Sequence, residues 1–204
     1  NMRHQLLLND GKGVFTVLAD SGLEKITQTV ASNAVFGDFD GDGDLDLFIA
    51  NGQTSYLALD LLWLNDGTGV FTNVTATHLK GNRAAPSNGA VACDYDNDGD
   101  LDLFVSVYGV SQGGAQNFLF ENDGTGKFKD VAVERGFASL PTGNYWTEST
   151  GYGTEPEPGK GPGTYVGGNG FGIDCADVNH DGLMDILITN ISHPSSTDAS
   201  RKWS

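Results

Sequence analysis

Basic side chains are scarce in this chain: 11 lysines and arginines stand against 27 aspartates and glutamates in 204 residues, a formal net charge of −16. That balance supplies no basic patch, which excludes the electrostatic footprint of a nucleic-acid binder or of a protein held on an anionic membrane surface. Long apolar runs are missing too. No stretch approaches the ~20 residues of a membrane-spanning helix, and the first residues carry no signal-peptide pattern. The two cysteines form no Cys-X-X-Cys and the four histidines (His4, His78, His180, His193) stand at no metal-ligand spacing, so a transition-metal site has no support. Glycine is abundant, at 29 residues, and the length suffices for one domain with a sizeable core.

The acids are not spread evenly. Three nonapeptides, Asp38 to Asp46, Asp94 to Asp102 and Asp177 to Asp185, hold five, five and three of them. Positions 1, 3, 5 and 9 carry oxygen side chains in every copy: Asp38, Asp40, Asp42, Asp46; Asp94, Asp96, Asp98, Asp102; Asp177, Asn179, Asp181, Asp185. Position 6 is always glycine (Gly43, Gly99, Gly182). Hard oxygen donors at alternating positions around a glycine turn suit Ca²⁺, which gathers about six to eight oxygens. Position 7 is Asp44, Asp100 and Leu183, so its shared donor is the backbone carbonyl. Position 12 is Ile49, Val105 or Ile188 where an EF-hand has its closing acid, and the segments beginning Leu45, Leu101 and Met184 alternate in a β-rich pattern. A strand leaves each loop. One Asp/Gly cluster reads equally well as a solvated turn; three copies with one oxygen spacing favour three calcium sites.

A second motif lies between the loops: Asn9-Asp-Gly, Asn65-Asp-Gly and Asn122-Asp-Gly, each between apolar segments. Asn, Asp and Gly tolerate the positive φ of tight turns, so each copy predicts a hairpin. Asn9 precedes Asp38 by 29 residues and Asn65 precedes Asp94 by 29, whereas Asn122 precedes Asp177 by 55. The third unit therefore carries an insertion, at about residues 139–164. Loop one to loop two is 56 residues, a period in the range of propeller blades. Each unit predicts four strands: one ending at the loop (34–38, 90–94, 172–177), one leaving it, one before the Asn-Asp-Gly turn (61–64, 117–120) and one after it. The fold expected is all-β, built from propeller blades of four antiparallel strands with the acidic loops in hairpins.

These motifs resemble the FG-GAP/VCBS repeat, the blade of integrin α-subunit propellers and of the family that includes cartilage acidic protein. The resemblance covers nearly the whole chain outside the insert. It implies calcium in the hairpin between the first two strands of each blade, on the loop positions named above. It divides the chain as one propeller segment: a half blade at 1–31, a blade at 32–87, a blade with the insert at 88–169 and a half blade at 170–204, ring closure being left to further sequence. The expected function is a calcium-stabilised interaction or adhesion scaffold, extracellular or at the cell surface, where calcium is abundant. A protein or glycan is the expected partner, homo-assembly is allowed, and nucleic acid, membrane insertion and catalysis are not expected. Two alternatives stand: a carbohydrate-binding or polysaccharide-degrading propeller, and a structural subunit of a surface filament or layer.

Four further features stand apart from the repeat motifs. Gly109-Val-Ser111-Gln-Gly113 matches the nucleophile-elbow pattern but lacks the following helix that the elbow needs. The insert offers Tyr145, Trp146, Tyr152 and Tyr165 near Glu148, Glu155 and Glu157, either as a recognition surface or as a lid folded on the blades. Two sequons, at Asn73 and Asn190, permit glycosylation. Cys93 and Cys175 occupy the same strand of consecutive blades one residue out of register, so alternation aims them at each other across the blade interface. They are either a disulfide or two buried thiols.

Overall fold

The computed structural model describes residues 4–26, 30–53, 56–108, 116–138 and 170–190. Among the described residues, fourteen strands build four antiparallel units in chain order. The hairpin β1 (Leu7–Asn9) and β2 (Phe15–Val17) comes first. The second unit joins β3 (Ala31–Gly37), β4 (Asp46–Gln53), β6 (Leu61–Asn65) and β7 (Phe71–Asn73) in that order, with β5 (Tyr56–Leu57) appended to β4. The third joins β9 (Ser87–Cys93), β10 (Asp102–Val107), β11 (Phe118–Asn122) and β12 (Phe128–Asp130). A last hairpin pairs β13 (Gly170–Ala176) with β14 (Asp185–Asn190). The fold is an all-β, partial propeller.

Two features exceed the four-strand expectation. The third unit gains β8 (Leu79–Lys80), which lies parallel to β12 with Leu79 opposite Phe128. In the second unit the Phe71 N–H donates to the Ser21 carbonyl at 2.8 Å, so here too the incoming chain covers the outer strand. The stretch before β8 is a helical turn, α1 (Thr75–His78). An otherwise open sheet edge is closed this way at little expense in residues.

Blades pack face to face, which is why both faces of their central strands are apolar. Phe48 and Ala50 of β4 join Leu62, Leu103, Val105, Val107, Phe118 and Phe120 in the cluster between the two full sheets. Leu47 and Ile49, one residue out of phase, turn the other way onto Leu23, Trp63 and Phe71. Phe104 of β10 turns toward β13 and β14, with Leu119, Ile173 and Ile186. The period of two seen in the sequence thus serves two cores rather than a core and solvent. Phe118 and Phe120 stack at 5.0 Å between ring centroids.

The inner strands β3, β9 and β13 lie side by side, tied by Ser32 Oγ donating to the Ser87 carbonyl, and by Asn88 Nδ2 donating to the Gly170 carbonyl at 3.3 Å. Gly89 permits that approach: a Cβ there would stand 2.4 Å from the Phe171 carbonyl oxygen. Gly89→Ala is expected to destabilise the protein by about 1–3 kcal/mol, the usual range for overpacking, read as a lower urea midpoint with unchanged m-value.

A buried acid sits at the same interface. Asp60 accepts the Asn51 N–H at 2.8 Å and the Ser87 hydroxyl at 3.0 Å. Burial pushes its carboxyl up to about 7, against the opposing pull of those two bonds and of Arg83. The folded state therefore holds this proton more tightly than the unfolded one. Its contribution is complete below the unfolded value near pH 4 and is lost as pH rises through about 7. Between those limits stability should fall by up to ~1.4 kcal/mol per pH unit from this group. Asp60→Asn, whose amide keeps both bonds, should flatten that part of the pH profile, measured by urea unfolding from pH 4.5 to 8.

The elbow-like Gly109 to Gly113, the insert with its aromatics, and His193 lie outside the described residues. Of the sequons, Asn73 is exposed and accepts the Thr75 N–H, while the Thr75 hydroxyl accepts the Leu62 N–H at 2.8 Å. The Asn190 sequon runs beyond the described residues. No helix among the described residues is long and apolar enough to cross a membrane.

Candidate metal centres

Each acidic loop is the turn of the first hairpin of its unit, and its ninth residue opens the outgoing strand: Asp46 lies opposite Gly37, Asp102 opposite Cys93 and Asp185 opposite Ala176. The first aspartate folds the loop around itself. Asp38 accepts the N–H groups of Gly41 and Gly43 (3.0 and 3.1 Å), Asp94 those of Asp98 and Gly99, and Asp177 those of Asp181 and Gly182. Position 6 needs glycine because its φ is 94°, 97° and 85° in the three copies.

In loop one the carboxylates of Asp38, Asp40 and Asp42 bring oxygens within 4.8 Å of one another; in loop two Asp94, Asp96 and Asp102 do so. Asp46 and Asp98 stand outside those two clusters. Asp181 and Asp185 gather no third cluster with Asp177. In loop three the Asn179 amide donates to Asp181 Oδ2 at 3.0 Å while its carbonyl accepts the Asp181 N–H, so both ends of that side chain are engaged within the loop. The position 7 side chains point elsewhere: Asp44 lies against Gly67 and Asp100 against Gly124, both in Asn-Asp-Gly turns. Leu183 is exposed.

The ninth residue has a second duty that sequence reading missed. Asp46 accepts the Phe39 N–H at 3.0 Å and the Asn65 N–H at 2.9 Å; Asp102 accepts those of Tyr95 and Asn122 (3.5 and 2.8 Å). Asn65 and Asn122, read from sequence as turn residues, also donate their amides to the Leu45 and Leu101 carbonyls. Asn122 Nδ2 donates as well to the Phe39 carbonyl of the preceding unit, at 2.8 Å. The two motifs are thus one device in the two full units, the Asn65 turn clamping the exit of loop one and the Asn122 turn that of loop two. The signal available was asparagine recurring as the first residue of all three turns, where aspartate or serine would also serve.

Burial pushes the Asp46 carboxyl up to about 6, against the pull of its two N–H donors and with the Asp40 and Asp42 charges adding to it. Asp102 rises to about 7 for the same reasons, with Asp96 and Asp98 as the like charges. Asp40 and Asp96 are raised too, by partial burial first and neighbouring carboxylates after it. Crowded anionic oxygens, with no nitrogen or sulfur donor among them, fit a hard divalent cation.

Fold and site together define an all-β protein of propeller blades whose first hairpins carry oxygen-rich loops, two of which could hold a metal ion. Residues 38–105 match the model of the FG-GAP-like repeat, from the first residue of loop one to the strand leaving loop two. This stretch is FG-GAP-like repeat sequence, as the resemblance implied. No curated protein matches the chain.

Proposed function

We propose that the chain is a calcium-stabilised interaction scaffold that works outside the cell. The observation that carries this reading is a three-carboxylate cluster at the same hairpin of two adjacent blades, with the first and third loop positions common to both. Asp38, Asp40, Asp42 and Asp46 would hold one ion, Asp94, Asp96, Asp98 and Asp102 a second, and Asp177, Asn179, Asp181 and Asp185 a third, with the carbonyls of Asp44, Asp100 and Leu183 as backbone donors. A bound ion supplies charge neutralisation and cross-links the loop. The chain's own residues do the rest: Asn65 and Asn122 fix the loop exits, and the stacked blades carry that rigidity to the loops at their rim. Loops of this kind fill where calcium is plentiful, which favours an extracellular or cell-surface setting.

The function is recognition of a surface protein or glycan, with no catalysis by this portion. The test is binding of the purified protein to arrays of extracellular proteins and glycans, with calcium and with chelator, beside hydrolase and lyase assays on acidic and neutral polysaccharides. Calcium-dependent binding without turnover is the expected result. Turnover of a polysaccharide would overturn it.

Loop three should bind most weakly, since Asn179 replaces an acid and its amide is committed to Asp181. Asn179→Asp should tighten that site roughly tenfold, in line with affinity set by ligand charge. Calorimetric titration in which the third site fills first would contradict this.

A further inference from the structure

We propose that Cys93 and Cys175 are an oxidisable pair whose disulfide would lock the third sheet to the last hairpin. Both thiols are free, so the bridge allowed by the sequence is not formed here. Their placement is nonetheless that of partners. Cys93 ends β9, buried opposite Asp102; Cys175 lies in β13, half-buried opposite Ile186. The two side chains share one apolar cluster with Phe104 and Leu119. Cys175 Sγ stands 3.9 Å from the carbonyl oxygen of Ala92, the residue before Cys93.

The strands that carry them are pinned on both sides of the pair. Asn88 and Ser106 donate to the Gly170 and Phe171 carbonyls at the start of β13, and Asn97 donates to the Gly182 carbonyl beyond its end. A disulfide requires Cα atoms about 4.4–6.8 Å apart, and strands tied together on both sides of the pair hold the two backbones close. Nothing else covalent within the described residues would span these two units, which are otherwise 82 residues apart along the chain between the cysteines.

The oxidant is a small-molecule disulfide such as oxidised glutathione. Cys175, the more exposed thiol and part of the wall of a hollow of about 400 Å³ beside Ile186 and Leu187, attacks as thiolate and forms a mixed disulfide, releasing one glutathione thiolate. The Cys93 sulfur, giving its proton to solvent, then attacks the Cys175 sulfur and expels the second. Two protein thiols lose two electrons, and one small disulfide becomes two thiols.

The test uses the whole chain, reduced, freed of reductant and incubated folded with oxidised glutathione. Non-reducing mass spectrometry should find the Cys93 and Cys175 peptides linked and the chain lighter by two hydrogens. The melting temperature should rise by several degrees and return when dithiothreitol is added; Cys175→Ser should abolish both changes. Chains carrying only glutathione adducts, two thiols that still alkylate after unfolding, a link that forms only in urea, or a link that lowers the melting temperature would each overturn the proposal.

Discussion

Stripping calcium from this protein is expected to lower its melting temperature by on the order of 10–20 °C. Each independent site adds about 2.7 kcal/mol when free ligand is about 100 times its dissociation constant. The two carboxylate clusters together would contribute about 5 kcal/mol. In a domain of this length each kcal/mol moves the midpoint by roughly 2–4 °C. The physical cause is local: without the ion, Asp38, Asp40 and Asp42 crowd their carboxylates together, as do Asp94, Asp96 and Asp102, and Asp40, Asp46, Asp96 and Asp102 hold protons more tightly than free carboxyls do. Scanning calorimetry in calcium and in EGTA measures the shift. Magnesium, which demands shorter, near-octahedral coordination, should replace calcium poorly.

The loop aspartates should separate into two kinds when mutated. Asp40 is half-buried and accepts the Asp42 N–H of its own loop, with no bond outside that loop among the described residues, and like charges stand beside it. Asp40→Ala should therefore change stability in chelator by no more than about 0.5 kcal/mol, as surface substitutions do, yet remove the calcium increment of loop one. Asp102 instead holds the Asn122 N–H inside the fold. Asp102→Ala should destabilise the protein in chelator by about 1–3 kcal/mol, the penalty for a buried donor left unpaired, and lose loop two's ion as well. Urea unfolding of both variants with and without calcium gives the four numbers. Equal losses for the two variants in chelator would show that the ninth residue has no structural duty.

What the sequence revealed followed from spacing. Oxygen side chains at alternating positions around Gly43, Gly99 and Gly182 marked the loops because an ion imposes that local geometry. Leu-Asp-Leu-Phe marked the outgoing strand because alternation is local as well. Interactions reaching across the chain were not legible. Asn122 reads as a turn residue until Asp102 and Phe39, 20 and 83 residues away, are brought to it. Asp60, between Leu59 and Leu61, carries no signal of full burial, since its partners Asn51 and Ser87 come from different sheets. The parallel addition of β8 depends on where Phe128 ends up, and a two-residue strand has no periodicity to read. In loop three the spacing persisted, but the Asn179 amide turned onto Asp181, an outcome that depends on side-chain hydrogen bonding rather than residue position.

Calcium counting on the chelator-stripped and redialysed protein tests the central claim most directly. Equilibrium dialysis with elemental analysis should find two tightly held ions per chain and a third that fills at higher calcium, with Asp40→Ala and Asp96→Ala each removing one of the tight pair. Less than one calcium per wild-type chain at millimolar free calcium, or an unchanged count in both variants, would contradict it.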